Sequence, residues 1–158
     1  MATTTRSEID DFLAQKRLAM VGVSKDPKDF SRGLFRDLRR RGYDMVPVNP
    51  GIAEVEGARC FPRLQDVTPP VDGALVMTPA AKSEQVARDC AEAGIARVWL
   101  HRGVGTGAVS QAAVDFCQQR GMHLVAGFCP YMFLPETEFF HRLHGVFMRL
   151  TGGYPTYC

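Results

Sequence analysis

The first long apolar run of the chain, Leu18-Ala-Met-Val-Gly-Val23, opens directly into Ser24-Lys-Asp-Pro27, and Ser31-Arg32 begins the amphipathic stretch that follows. The chemistry suited to such a junction is anion binding. A glycine at a strand exit, here Gly22, lets backbone approach a ligand closely, and the amides of a loop and of a helix start can hold a phosphate. Ser24 and Ser31 add hydroxyls, and Lys25 and Arg32 add positive charge, all within the eleven residues from 22 to 32. An ordinary strand-to-helix loop with a capping serine would need one hydroxyl and no cations.

Two familiar phosphate cradles are absent. The stretch is neither G-x-G-x-x-G nor a Walker A loop. The second strand expected from the sequence ends at Asn49, where a typical NAD site carries Asp or Glu for the ribose hydroxyls, and Asp44 lies at that strand's start. Both features count against a dinucleotide dehydrogenase. They suit a ligand whose ribose bears a phosphate, because a carboxylate there would repel it. An NAD(P)-linked oxidoreductase, with Arg32 accepting a 2′-phosphate, stands as the alternative, beside a domain that has lost its ligand and docks a partner through a helix near the C-terminus.

The elements that would position these residues alternate between apolar runs and amphipathic stretches, the β-α-β pattern of a parallel sheet. A lead-in helix is expected over Ser7 to Gln15, capped by Ser7. Strands are expected at Leu18–Val23, Tyr43–Val48, Val71–Met77, Ala96–Leu100 and Met122–Ala126, with a short edge strand at Ala58–Phe61. Helices are expected from Ser31, as cap, to Arg41, over Ser83–Ala93, over Ala108–Arg120 and over Glu136–Leu150. The fold class is α/β: one Rossmann-like three-layer domain with a mostly parallel sheet of about five strands and a C-terminal helix. Its core would run from about 17 to 130, followed by a helical extension over 131 to 158. The first strand would be near the sheet's middle, so the crevice should lie outside the carboxyl ends of the strands.

Bulk properties narrow the classes. At 158 residues with 46% hydrophobic and 23% charged side chains, the chain suits one soluble domain. No apolar run approaches the roughly 20 residues of a membrane helix, and the polar, acidic N-terminus is not a secretory signal. A cytoplasmic protein without membrane association is expected. The net charge of +2 is too small to imply nucleic acid. Five cysteines, an odd number with no C-x-x-C pair, argue against a disulfide framework and a zinc knuckle.

Three stretches resemble a known family: Val21-Gly-Val-Ser24 followed by Asp26-Pro27 and Ser31; Gly42-Tyr43 leading to Val46-Pro-Val-Asn-Pro50; and Val76-Met-Thr-Pro79 with Trp99-Leu-His-Arg-Gly103. Together and in this order they resemble the small CoA-binding proteins whose fold matches the nucleotide-binding domain of succinyl-CoA synthetase α subunits. The Pro-Val-Asn-Pro element after Gly-Tyr is the most distinctive. The resemblance implies coenzyme A, or an acyl-CoA, as the small-molecule nucleotide ligand. It implies that Gly22, Ser24 and Lys25 approach the phosphates, and that Ser31 and Arg32 support them or meet the ribose phosphate. Asn49 and Pro50 would border the adenosine, and Thr78 and Pro79 would pass beneath the ligand with His101 nearby. The synthetase works through a phosphorylated histidine in a separate domain, for which this chain has no room, so binding without turnover is expected.

The tail carries Cys129, in the family's cysteine-proline position at the crevice edge, where it could meet a thiol such as that of CoA. His141 and His144 are three residues apart and could both reach one metal ion, but a packing role for His144 and a solvated one for His141 are the stronger reading, and no metal is expected. The apolar stripe of the tail helix would cover the sheet or join two copies in a homo-oligomer.

Overall fold

The computed structural model describes residues 4–135 and Pro155. The chain begins with helix α1 (Arg6–Leu13), which starts one residue before the expected cap. Thr5, not Ser7, is the N-cap. Its hydroxyl accepts from the Glu8 amide while the Glu8 carboxylate accepts from the Thr5 amide at 2.8 Å, a reciprocal capping box. Strand β1 (Arg17–Val21) follows, then helix α2 (Phe30–Arg40) and strand β2 (Asp44–Val48).

Next comes a two-stranded antiparallel hairpin, β3 (Glu54–Val55) with β4 (Ala58–Arg59), in place of the longer edge strand expected at Ala58–Phe61. Phe61 instead makes an isolated parallel bridge to Val48, and a single 3-10 turn at Leu64–Asp66 leads on. Strand β5 (Gly73–Val76), helix α3 (Ala80–Glu92), strand β6 (Arg97–His101), helix α4 (Gln111–Gln119) and strand β7 (His123–Phe128) complete the described fold, with a closing 3-10 turn at Pro130–Met132. The helix expected over Glu136–Leu150 falls outside the described residues.

All five strands of the main sheet are parallel, in the order β2-β1-β5-β6-β7. This is the expected Rossmann-like α/β architecture. Alternation along each strand divides the core. Leu18, Met20, Leu75, Trp99 and Val125 face α1 and α2, where Phe12, Leu34 and Phe35 meet them. Ala19, Val21, Val76, Val98 and Leu100 face α3 and α4, meeting Val86, Cys90, Val114 and Cys117. Trp99 is wholly buried, yet its indole N–H donates to the Phe128 carbonyl at 2.9 Å, so its one polar atom is satisfied.

Candidate ligand-binding cleft

The strand order reverses at β1. The chain leaves β1 to form β2 on one side, then returns to form β5 on the other. In open parallel sheets the crevice forms at such a reversal, outside the carboxyl ends of the strands. Here that point is Gly22. Its φ is +87°, and a Cβ there would lie 2.8 Å from Thr78 Cγ2 and 3.0 Å from the Thr78 amide nitrogen. Only glycine lets the exit of β1 lie flat against the exit of β5. The Gly22 amide donates to the Val48 carbonyl at 3.0 Å, and the Met77 amide to the Val21 carbonyl at 2.8 Å, so three strand exits are tied side by side.

Above them lies an open cleft of about 560 Å³. Its floor is Gly22, Val48 and Thr78. Pro62 and Leu64 form one wall, and Lys82 with Gln85 on the first turns of α3 form the other.

The loop from β1 to α2 is arranged differently from the sequence expectation. Asp29 caps α2 in place of Ser31. Its Oδ1 accepts from the Ser31 amide at 2.8 Å and from the Ser31 hydroxyl at 2.5 Å. The Ser31 oxygen in turn accepts from the Ser24 amide at 2.9 Å, and the Ser24 hydroxyl accepts from the Asp26 amide. A carboxylate thus fills the place at the helix start that the sequence offers to a phosphate. Aspartate is as good a cap as serine, and its charge suits the positive end of the helix.

Arg32 is likewise committed. It holds Glu56 Oε1 through Nη2 at 2.6 Å and Nε at 3.0 Å, and its Nη1 donates to the carbonyls of Ser24 and Lys25, both at 3.2 Å. Arg36 adds a third contact to the same Glu56 oxygen at 3.0 Å. These guanidinium groups hold the Glu56 carboxyl below its usual range, against the opposing effect of burial. Ser31 and Arg32 therefore shape the loop and do not line the cleft.

Gly22, Asn49, Pro50, Thr78 and Pro79 do line it. Asn49 ties its two sides together: Nδ2 donates to the Val23 carbonyl and Oδ1 accepts from the Gly51 amide, each at 2.8 Å. Lys25 reaches across to this same turn. Its Cε and Nζ each lie 3.3 Å from the point where a Cβ on Gly51 would sit. His101, buried at the end of β6, stands against Phe30 with ring centroids 5.3 Å apart and is not part of the cleft wall.

The cleft also contains a feature the sequence reading left unassigned. Helix α3 starts at Ala80, three residues before the expected Ser83, with Pro79 as its cap. A proline side chain cannot accept from the amides of the first turn, so they receive no side-chain cap. Lys82 stands on that turn and, among the described residues, has neither an ion pair nor a hydrogen bond from its ammonium. The uncapped helix start and a free cation thus share one wall. The signal was the Thr-Pro step itself, since proline is tolerated at the edge of a helix and seldom inside one.

Cys129 is buried, which pushes its thiol up to about 11 and opposes the thiolate needed for exchange with another thiol. Cys60, Cys90 and Cys117 are buried as well. Among the described residues no group of three or more His, Cys, Asp or Glu side chains suits a metal ion. His141 and His144 lie outside those residues. No described helix is long and apolar enough to cross a membrane.

A parallel sheet with a cleft at its reversal point is shared by many nucleotide binders, and sequence comparison narrows the choice. A family model described as a CoA binding domain matches residues 16–135. The chain belongs to this CoA-binding domain family. It is similar to the protein YneT of Bacillus subtilis, 26% identical over 130 residues that cover 82% of this chain and 93% of that one. It is also similar to the α subunit of the ADP-forming acetate–CoA ligase II of Pyrococcus furiosus, 29% identical over 88 residues. That match covers 55% of this chain and only 19% of the ligase subunit.

Among solved structures, a conserved hypothetical protein from Pyrococcus furiosus superposes with a TM-score of 0.67 at 30% identity, covering 72% of this chain and 95% of that one. The acetyl-coenzyme A synthetase 1 of Candidatus Korarchaeum cryptofilum superposes with a TM-score of 0.64 at 28% identity, covering 75% of this chain and 27% of the synthetase.

Proposed function

We propose that this member of the family binds coenzyme A, or an acyl-CoA, through its adenosine diphosphate part, and catalyses no reaction of its own. The observation that carries the reading is the cleft at the sheet's reversal point, which the uncapped start of α3, with Lys82 on its first turn, lines together with the exits of β1 and β5. A helix start without a capping side chain and an adjacent lysine form a site for phosphate oxygens. The residues present therefore fit a pyrophosphate. Gly22, Thr78, Ala81 and Lys82 would hold it, and the apolar surfaces of Val48, Pro50 and Pro62 would flank the nucleoside.

The absence of turnover is supported by two things. The part of the ligase subunit that resembles this chain is a fifth of its length, so a shared binding role accounts for the likeness without the ligation chemistry. The described cysteines are buried, and none stands in the cleft wall.

The test is a thermal-shift panel with CoA, acetyl-CoA, NADH and NADPH. A ligand that binds only the folded state at about a hundredfold excess over its dissociation constant adds about 2.7 kcal/mol of stability. The expected result is a raised Tm with CoA and no shift with the dinucleotides. Stabilisation by NADPH and not by CoA would overturn the proposal. Denaturing the purified protein and weighing the released small molecules gives an independent answer.

A further inference from the structure

A closed ring of contacts runs past the cleft and behind it. The loop leaving β1 meets the turn leaving β2, where Asn49 Nδ2 donates to the Val23 carbonyl at 2.8 Å. That turn continues into the hairpin β3–β4, and at the hairpin's tip Glu56 Oε1 accepts from Arg32 Nη2 at 2.6 Å. Arg32 leads back to the start, since its Nη1 donates to the carbonyls of Ser24 and Lys25, both at 3.2 Å. From this ring we infer that Glu56, acting through Arg32, is a positioning residue for the ligand, although neither residue lines the cleft. The inference rests on the reading of the cleft as a nucleotide site and adds a control on it from outside.

Three observations carry it. Asn49 belongs to the ring, Gly22 and Pro50 adjoin it, and all three line the cleft. The hairpin also stands in the chain between Asn49-Pro50 and Pro62-Leu64, two flanks that both line the cleft, so its tip is the far end of the segment joining them. Second, Arg32 is used almost to capacity. Nε and Nη2 hold Glu56 and Nη1 spans two carbonyls, which engages four of its five N–H groups, and 11% of the side chain is exposed. The carboxylate therefore fixes the plane of the guanidinium, and that plane fixes the loop backbone. Third, Glu56 has a φ of +50° and Gly57 after it a φ of +77°. Asn, Asp or Gly suit the first place of such a turn, and a glutamate there carries backbone strain. The longer side chain that stands there instead is the one that reaches Arg32.

Without the carboxylate the guanidinium is released, and the carbonyls of Ser24 and Lys25 lose their donor. The loop and the turn then keep the Asn49 contact but lose the path through the hairpin. A ligand entering the cleft must order what the ring had ordered in advance, and that cost appears as weaker binding. The coupling is reciprocal, so a bound ligand also steadies the hairpin.

The experiment is calorimetric titration with CoA of the unaltered protein, Glu56→Gln, Arg32→Gln, the double variant and Arg39→Gln. Arg39 separates positioning from bracing. It donates to the Glu56 carbonyl at 2.7 Å and so fastens the same hairpin tip to α2, yet among the described residues it has no hydrogen bond to the loop leaving β1. Glu56→Gln and Arg32→Gln should each weaken CoA binding about fivefold, and the double variant by about the same factor, because both substitutions cut one link. Arg39→Gln should change it less than about twofold. In the ligand-free protein, the amides of Ser24 and Gly51, bonded to Ser31 Oγ and Asn49 Oδ1, should exchange with solvent faster in Glu56→Gln and not in Arg39→Gln.

Losses that multiply in the double variant, to about 25-fold, would overturn the inference, because the two residues would then act separately. So would an equal loss in Arg39→Gln, which would make the hairpin a general brace, and so would unchanged affinity in Glu56→Gln. An unaltered protein that does not bind CoA, with the exchange difference present, would overturn the nucleotide reading and keep the positioning of the cleft's lip by Glu56. Neither binding nor an exchange difference would overturn both.

Discussion

Gly22 shows how much one missing methyl group decides. Its positive φ is one reason for glycine, and the 2.8 Å gap to Thr78 is another, and both oppose any side chain. Gly22→Ala is therefore expected to destabilise the protein by about 2 kcal/mol or more, through backbone strain and through forcing the exits of β1 and β5 apart. A urea titration measures this directly. An unchanged midpoint would show that the loops separate without cost and that the floor of the cleft is softer than its hydrogen bonds suggest. The same variant should weaken ligand binding by more than its stability loss alone explains, because Thr78 forms the floor beside Gly22.

At the scale of elements, the hairpin β3–β4 is fastened to α2 by a single acidic residue. Glu56 receives Arg32 and Arg36 on one carboxylate oxygen, and its backbone carbonyl accepts from Arg39 at 2.7 Å. A carboxyl held below its ordinary value of 4.5 in the folded state contributes stability that is present above that value and lost as the pH falls through the folded one. Glu56→Gln should therefore lower stability at neutral pH and flatten the acid limb as the pH falls through and below 4.5. With 24% of the Glu56 side chain exposed, solvent screening keeps the effect small. Thermal melts across that range would reveal it, and parallel curves for the two proteins would show that the cluster is electrostatically neutral to folding.

These elements also show what a sequence can and cannot disclose. The five parallel strands and their helices were legible because apolar runs and helical stripes have different periods, and both survive in any context. The caps were not. Ser31 and Asp29 are both good cap residues two positions apart, and only tertiary contact with the Ser24 amide decides that the serine serves the loop and the aspartate the helix. The site was legible in part for the same reason. Gly22, Asn49, Pro50, Thr78 and Pro79 line the cleft because strand exits fix them there. Arg32 does not, because Glu56, on a hairpin far along the chain, claims it first. Lys82 escaped notice because the expected start of α3 left it in a loop.

For the whole molecule, a net charge of +2 gives almost no long-range pull on an anionic ligand, so the attraction must be local to the cleft. That distinction is testable with two charge reversals of equal size. Lys82→Glu and Lys16→Glu each take the net charge from +2 to zero. Lys82 stands in the cleft wall at the carboxyl edge of the sheet, whereas Lys16 precedes β1 at the opposite edge, roughly 16 Å away along a five-residue strand. That distance exceeds the Debye length of about 8 Å at physiological ionic strength, so a distant charge is screened and a neighbouring one is not.

Lys82→Glu should weaken CoA binding by about tenfold or more, through lost attraction and new repulsion beside the helix start, while Lys16→Glu should change it less than about twofold. Raising the salt should narrow the difference between the two variants, since added ions screen the cleft as well. Equal weakening by both would mean that the protein gathers its ligand through overall charge, and the uncapped start of α3 would then lose its claim to the phosphates.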